Sequence, residues 1–110
     1  MTANEFQLKA HTFAACDKAD CPDYVYPALG LAEEAGEVVG KYAKAIRDEN
    51  GNFSEERKQA IKKELGDVMW FVAELSTLLG ITLEEVMTCN IEKLNSRKSR
   101  NCINGSGDDR

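Results

Sequence analysis

The sequence EEAGE at residues 33–37 and its counterpart ELGD at residues 64–67 decide how the rest of the chain is interpreted. Both lie in segments whose other residues favour an α-helix, so acids three residues apart emerge on one helix face. Two carboxylates at this spacing repel each other and weaken an isolated helix by about 0.3 kcal/mol. We therefore expect a compensating cation, and a hard divalent ion with oxygen ligands, above all Mg²⁺, suits such a site. The pairs are Glu34 with Glu37 and Glu64 with Asp67.

Around these pairs the sequence predicts an all-α fold of four helices, because no segment of useful length has the period of a strand. The predicted helices cover residues 4–15, 28–48, 54–79 and 83–97. Ser54 and Thr82 are typical N-caps, and Gly51 and Gly80 are suited to helix ends. Pro27 fits a first helical turn, whereas Pro22 interrupts the chain before it.

Apolar residues in the second and third helices recur at steps of three and four and predict the buried stripes. The stripe of the second helix is Leu31, Ala35, Val38, Tyr42 and Ile46, and that of the third is Ile61, Leu65, Val68, Phe71, Val72, Leu75 and Leu79. Glu64 falls inside the third-helix arc and Asp67 falls at its margin. A charge on a buried face needs an explanation. Gly36 and Gly66, inside otherwise good helices, suggest that the two helices approach closely beside the acids.

If these two helices pack antiparallel, the four paired acids converge into one cluster that could hold Mg²⁺ with waters and substrate phosphates. Glu33, on another side of the helix, could bind a second ion or orient a water as a general base. Cations that could neutralise phosphates are Lys41, Lys44, Lys93 and Arg97. The alternative is a solvated helix face supported by pairs of opposite charge one turn apart.

Length and composition bound the remaining choices. The 110 residues suit one domain, residues 1–100, followed by a tail, residues 101–110. A net charge of −5 argues against a nucleic-acid polymer as partner. No apolar run is long enough to span a membrane and no signal peptide is evident, so we expect a cytoplasmic protein without a membrane partner. The cysteines, Cys16, Cys21, Cys89 and Cys102, are interpreted as reduced thiols, and a zinc site of His11 with the first two is disfavoured.

Two quoted segments carry a family resemblance: GLAEEAGEVVGK, and after a gap KKELGDVMWFVAELSTLLGITLEEV. They resemble the MazG-like branch of the all-α nucleoside triphosphate pyrophosphohydrolases, whose signature is EExxE followed by ExxD. The resemblance covers residues 25–98, and the ending NIEKLNSRKSRNCINGSGDDR is similar to the tails of small, often phage-encoded members. A phage-encoded protein would act in the host cytoplasm.

The resemblance implies that a (deoxy)nucleoside triphosphate is hydrolysed between its α and β phosphates, with Mg²⁺ or Mn²⁺, to a monophosphate and pyrophosphate. It implies a bundle completed by oligomerisation, as a homodimer or a homotetramer that is a dimer of dimers, with the site near the subunit interface. By the same matching, the metal ligands are Glu34, Glu37, Glu64 and Asp67, and Glu33 with Glu34 are the catalytic residues. Asn90, Lys93 and Arg97 are implied to contact phosphates.

The sequence gives the least information about the base of the substrate. The first helix differs most from the family, and His11 there is a candidate base contact. A guanine nucleotide would accord with the phage-like tail, although no residue specifies it. The alternative function is a catalytically silent helical module for nucleotide sensing or oligomerisation, which is disfavoured because all five signature acids are present.

Overall fold

The structure is a computed structural model that describes residues 1–14 and 25–109. Within these residues the chain is all-α, as the sequence predicts, and contains four helices. They are α1 (Ala3–His11), α2 (Val25–Glu49), α3 (Glu55–Leu78) and α4 (Leu83–Ser99). The predicted break at Pro22 and the thiols Cys16 and Cys21 with their zinc hypothesis lie outside the described residues. Cys89 and Cys102 are free thiols.

The helix ends follow local sequence chemistry. Thr2 and Thr82 form capping boxes with Glu5 and Glu85, and the Ser54 hydroxyl accepts a hydrogen bond from the Arg57 amide, so the caps predicted at Ser54 and Thr82 are confirmed. Helix α1 ends at His11, earlier than predicted, because the next amides bond three residues back: Phe13 to Ala10 and Ala14 to His11. The end of α2 takes the left-handed conformation at Asn50 (φ 53°) and at Gly51 (φ 77°).

An elbow at Gly80 joins α3 to α4. Gly80 has φ 70°, its amide bonds to the Thr77 carbonyl at 3.0 Å, and the Ile81 amide bonds to the Ser76 carbonyl at 3.0 Å. These two bonds close α3 as a Schellman motif. The axes of α3 and α4 are bent by 104° across this elbow. Helix α4 therefore leaves the line of α3 instead of continuing along it.

Helices α2 and α3 form an antiparallel hairpin. Their contacts run in opposite sequence directions, from Arg57 paired with Glu49 near the turn to Phe71 against Gly30 near the start of α2. The Nε and Nη2 atoms of Arg57 donate to Glu49 Oε1 at 2.8 and 2.6 Å, which fixes the turn end of the hairpin. This hydrogen bond holds the pKa of the Glu49 carboxyl below its ordinary value.

The buried core is small and lies where α1, α3 and α4 meet. Its centre is Ala10, Ala73 and Leu83, against which Ala3, Phe6, Trp70 and Val72 pack. The predicted buried stripes are wrong in part, since Tyr42 (47%) and Ile46 (66%) of α2 are exposed, as are Leu65 (49%) and Leu79 (71%) of the third-helix stripe. Only one face of α2 meets α3, and its buried residues are Pro27, Gly30 and Ala45.

The glycine prediction also needs correction. A Cβ atom on Gly36 or Gly66 would meet nothing within 4 Å, so no close helix approach occurs at either position. The close approach is at Gly30, one turn and a half earlier on α2, where a Cβ would collide with the Phe71 ring. Among the described residues no single helix is long and apolar enough to span a membrane. Helices α3 and α4 have the required length and composition only when taken together, with the 104° bend between them.

Candidate metal centre

The hairpin brings three of the predicted acids together. Glu34 of α2 and Glu64 and Asp67 of α3 each offer one carboxylate oxygen, and these oxygens lie within 4.8 Å of one another. The spacing of three residues places Glu64 and Asp67 on one face of α3, and the antiparallel packing sets Glu34 opposite them. We call Glu34, Glu64 and Asp67 the acidic triad.

The triad combines partial burial with access from solvent. Glu64 has 18% of its side chain exposed, in line with its predicted place inside the apolar arc of α3, whereas Asp67 is exposed. Burial raises the pKa of the Glu34 carboxyl above its ordinary value, and the neighbouring charges of Asp67, Glu64, Glu33 and Glu37 add to the rise. The carboxylates thus disfavour one another's charge, and a cation would relieve that repulsion.

Three hard oxygen donors on two rigid helices fit a divalent ion of the Mg²⁺ class, which commonly uses few carboxylates and fills its remaining positions with water or phosphate oxygens. No thiol or imidazole belongs to the triad, so the donor set does not favour a softer metal.

The other two signature acids stand beside the triad. Glu37 is exposed, and its Oε2 lies 4.0 Å from Lys41 Nζ. Glu33 is exposed and close enough for its charge to raise the pKa of Glu34. Lys41 makes its shorter contact with the triad itself, with Nζ 3.0 Å from Glu64 Oε1. Lys44, one turn further along α2, is exposed.

An aromatic cleft opens next to the triad. It has a volume of about 370 Å³ and is lined by Phe13, Trp70 and Phe71 together with the triad residues Glu34 and Asp67. The Trp70 and Phe71 rings meet edge to face, with centroids 4.8 Å apart and planes at 89°. Trp70 Nε1 donates a hydrogen bond to the Ala10 carbonyl at 3.0 Å, which ties the end of α1 to this cleft.

The sequence patterns did not predict Phe13 or Glu74 at the site. Glu74 is buried at 2% exposure, and His11 Nδ1 lies 3.0 and 3.2 Å from its two carboxylate oxygens. The signal was available for Glu74, since it is the one charged residue in the apolar run WFVAELSTLL. For Phe13 the sequence held no signal, because only the packing of α1 on α3 brings it to the cleft.

The predicted phosphate contacts of α4 lie away from the triad. Asn90 and Lys93 border a separate cleft of about 540 Å³ with Ile81, Glu85, Val86 and Cys89. Lys93 is ten residues into α4 and Asp67 eleven residues before the end of α3, so each lies about 15 Å from the elbow along its helix. With a bend of 104° between them, ideal helix axes would place the two positions roughly 20 Å apart in one chain.

Arg97 is buried at 5% exposure and holds the C-terminal segment. Its Nη2 donates to the Asp108 carbonyl at 2.7 Å, to the Gly107 carbonyl at 3.3 Å and to Asp108 Oδ1 at 3.2 Å. Lys93 Nζ lies 3.5 Å from the same Oδ1. The hydrogen bond from Arg97, with help from Lys93, keeps the pKa of the Asp108 carboxyl below its ordinary value.

Comparisons with known proteins show the family of the chain. The MazG nucleotide pyrophosphohydrolase domain matches residues 27–101, which include the triad and α4. "Gene 37 protein" of Mycobacterium phage L5 is 44% identical over 95 residues, 86% of this chain and 82% of the relative. "Uncharacterized protein YvdC" of Bacillus subtilis (strain 168) is 38% identical over 76 residues, 61% of this chain and 68% of that relative. No solved structure matches. The chain belongs to the MazG nucleotide pyrophosphohydrolase family, with a phage protein among its relatives.

Proposed function

We propose that this protein hydrolyses a nucleoside or deoxynucleoside triphosphate between the α and β phosphates, with Mg²⁺ or Mn²⁺ held by the acidic triad. The products would be the nucleoside monophosphate and pyrophosphate. The observation that carries this proposal is the convergence of Glu34, Glu64 and Asp67 within 4.8 Å, inside the part of the chain that matches the MazG nucleotide pyrophosphohydrolase domain.

A divalent ion bound there would polarise a phosphoryl oxygen and lower the pKa of a bound water. The protein's own groups would do the positioning. The rigid hairpin fixes the triad oxygens before substrate arrives, so little reorganisation is needed during the reaction. Glu33, exposed beside Glu34, would accept a proton from the attacking water as general base. Glu37, at the edge of the cluster, would join in binding metal, with Lys41 and Lys44 on the same helix balancing phosphate charge.

The aromatic cleft is the natural place for the base of the substrate. Phe13, Trp70 and Phe71 offer apolar ring surface, and Glu34 and Asp67 at its edge would stand at the phosphate end. Stacking on aromatic rings accepts any base and is worth about 1–3 kcal/mol. The cleft therefore supports nucleotide binding without selecting guanine over other bases. His11 would act here by holding the end of α1 against Glu74.

We further propose that the site is completed by a second copy of this chain. The radius of gyration is 16.9 Å, whereas a compact domain of this length has about 13 Å. Among the described residues, more large apolar side chains are exposed than buried, and α4 alone exposes Met87, Ile91 and Leu94. A homodimer or a dimer of dimers would cover these faces. It would also let Asn90 and Lys93 of one copy approach the triad of another, whereas within one chain α4 and the triad lie on separate arms of the elbow. Arg97 would keep its place against the C-terminal turn.

The test is product analysis with metal-free protein to which Mg²⁺ is returned. Each of dGTP, dCTP, dUTP, dTTP and the ribonucleotides is supplied, and we expect pyrophosphate and monophosphate from at least one. Release of orthophosphate alone would contradict the proposal. Substrate binding without any turnover would instead favour the nucleotide-sensing module.

Two variants test the residue assignment. Glu64→Gln and Asp67→Asn should each lower turnover at least about a hundredfold, because each removes a charged ligand from the ion. Glu92→Gln, an exposed acid on α4, is the matched control and should keep full turnover. Circular dichroism should show unchanged helix content in all three. Normal turnover in the Glu64→Gln, Asp67→Asn double variant would remove the triad as the metal centre.

A further inference from the structure

Lys41 is the one ammonium group that the described residues place directly on the acidic triad. Its Nζ lies 3.0 Å from Glu64 Oε1 and 4.0 Å from Glu37 Oε2. Both partners of the shorter contact are largely withdrawn from water, with 23% of the Lys41 side chain and 18% of the Glu64 side chain exposed. This ion pair is therefore screened less than a surface pair.

Glu64 has two competing uses in this arrangement. The same carboxylate completes the triad with Glu34 and Asp67 and pairs with Lys41. A divalent ion seated among the triad oxygens would stand a few ångströms from the ammonium, and like charges at such a distance repel strongly when water is partly excluded. Lys41 and the ion therefore compete for the negative charge of Glu64.

The lysine side chain is suited to an exchange of partners. It is a flexible four-carbon stem with a compact charge at its end, so it can leave Glu64 while its backbone stays fixed on α2. A phosphate oxygen brought to the triad by a metal ion would offer the released ammonium a new and strongly charged partner.

We propose that Lys41 is an exchangeable counter-ion of the metal centre. Its ammonium neutralises Glu64 while the triad holds no metal and is displaced when a divalent ion binds. The side chain then moves so that the ammonium contacts a phosphate of the substrate. This inference rests on the proposed metal-dependent function and adds to it a coupling between metal binding and phosphate capture. A metal ion that binds alone competes with the Lys41 ammonium for Glu64. When a triphosphate binds with the metal, the ammonium instead contacts a phosphate and strengthens binding.

If Lys41 only positioned Glu64, removing its side chain would change the metal affinity in the opposite direction. If the ammonium only oriented Glu64 for the metal, its removal would weaken metal binding. If it competes for Glu64, its removal strengthens metal binding and weakens triphosphate binding. The two readings differ in the direction of a single measured affinity, before any turnover is considered.

The experiment measures the affinity for Mn²⁺ alone by calorimetry on metal-free wild-type protein and three variants. Lys41→Met should bind Mn²⁺ roughly three- to tenfold more tightly, the factor expected for losing a partly buried competing pair. Lys41→Arg keeps the charge and should restore the wild-type value. Lys63→Met, an exposed lysine next to Glu64 in the chain, removes the same charge and should change the affinity less than about twofold.

A second measurement uses an α,β-methylene nucleoside triphosphate in the presence of saturating Mn²⁺. Lys41→Met should bind this analogue more weakly than wild type, while Lys63→Met should not. Unchanged or weaker Mn²⁺ binding by Lys41→Met, with wild-type helix content, would overturn the exchange and leave the proposed function standing. If wild-type protein bound no Mn²⁺, the proposed function would fail as well.

Discussion

Gly30 of α2 lies against the ring of Phe71 of α3 so closely that a Cβ atom on Gly30 would stand 2.3 Å from the ring atoms Cε1 and Cζ. Phe71 is 8% exposed and forms part of the wall of the aromatic cleft, between the hairpin core and the triad. The absence of a side chain at Gly30 thus sets how near α2 comes to α3 at this level, and with it the place of the cleft wall.

Gly30→Ala should lower the free energy of unfolding by about 1–3 kcal/mol, the usual cost of overpacking a buried contact. Gly36→Ala is the matched control on the same helix, where a Cβ would meet nothing within 4 Å. It should raise the free energy of unfolding by about 0.5–1 kcal/mol, since alanine favours helix over glycine. Urea unfolding of the metal-free protein measures both, and equal effects at the two positions would contradict the packing argument.

Gln7 ties α1 to the elbow and to the first residue of α4. Its Oε1 accepts a hydrogen bond from the Leu83 amide at 2.7 Å, and its Nε2 donates to the Ile81 carbonyl at 2.9 Å and to Thr77 Oγ1 at 3.2 Å. Gln7→Ala should cost about 1–3 kcal/mol of stability, because it leaves buried backbone groups without partners. Hydrogen exchange at the Leu83 amide should become faster.

Lys9→Ala, at an exposed position on α1, is the control for helix propensity and should change stability little. If Gln7→Ala behaved like Lys9→Ala, α1 would not be holding the elbow.

The raised pKa of Glu34 predicts how the metal-free protein responds to pH. Near and above the ordinary value of 4.5 the folded protein binds more protons at Glu34 than the unfolded chain does. The contribution of Glu34 to stability therefore falls as pH rises from 4.5 through the raised pKa. At neutral pH Glu34→Gln should be more stable than wild type, and the difference should shrink as the pH approaches 4.5.

Urea unfolding in the presence of a chelator, at pH 7 and pH 5, measures this difference. Glu92→Gln, exposed on α4 and far from the triad in sequence, should show no comparable gain. Saturating Mn²⁺ should reverse the order of wild type and Glu34→Gln if Glu34 binds metal. A Glu34→Gln protein less stable than wild type in chelator would show that repulsion within the triad is not the governing effect.

Local chemistry explains why much of the fold could be read from the sequence. The caps at Ser54 and Thr82 depend on side chains within three residues, so they were predictable and are confirmed. The place of Glu64 inside the arc of α3 followed from helical periodicity and is confirmed by its low exposure. The antiparallel hairpin needed only two long helices and a short connection.

The features that the sequence could not give depend on the angle between elements. The bend at Gly80 sets where Lys93 lies relative to the triad within one chain, and no residue pattern specified its size. Tyr42 and Ile46 have core-like spacing but remain exposed, because periodicity tells which face is apolar and not which molecule covers it. The glycines at 36 and 66 suggested close packing, whereas the contact that requires glycine is at Gly30.

The final residues of the described chain are part of the architecture of α4. Arg97 buries its guanidinium beneath the turn of Gly107 and Asp108, and its Nε finds no partner among the described residues. Trimming that turn would remove the acceptors of the Arg97 guanidinium and open it to water, so a protease cut or an appended tag there should disturb the last turns of the helix. The residues after α4 therefore cover and hold the end of that helix.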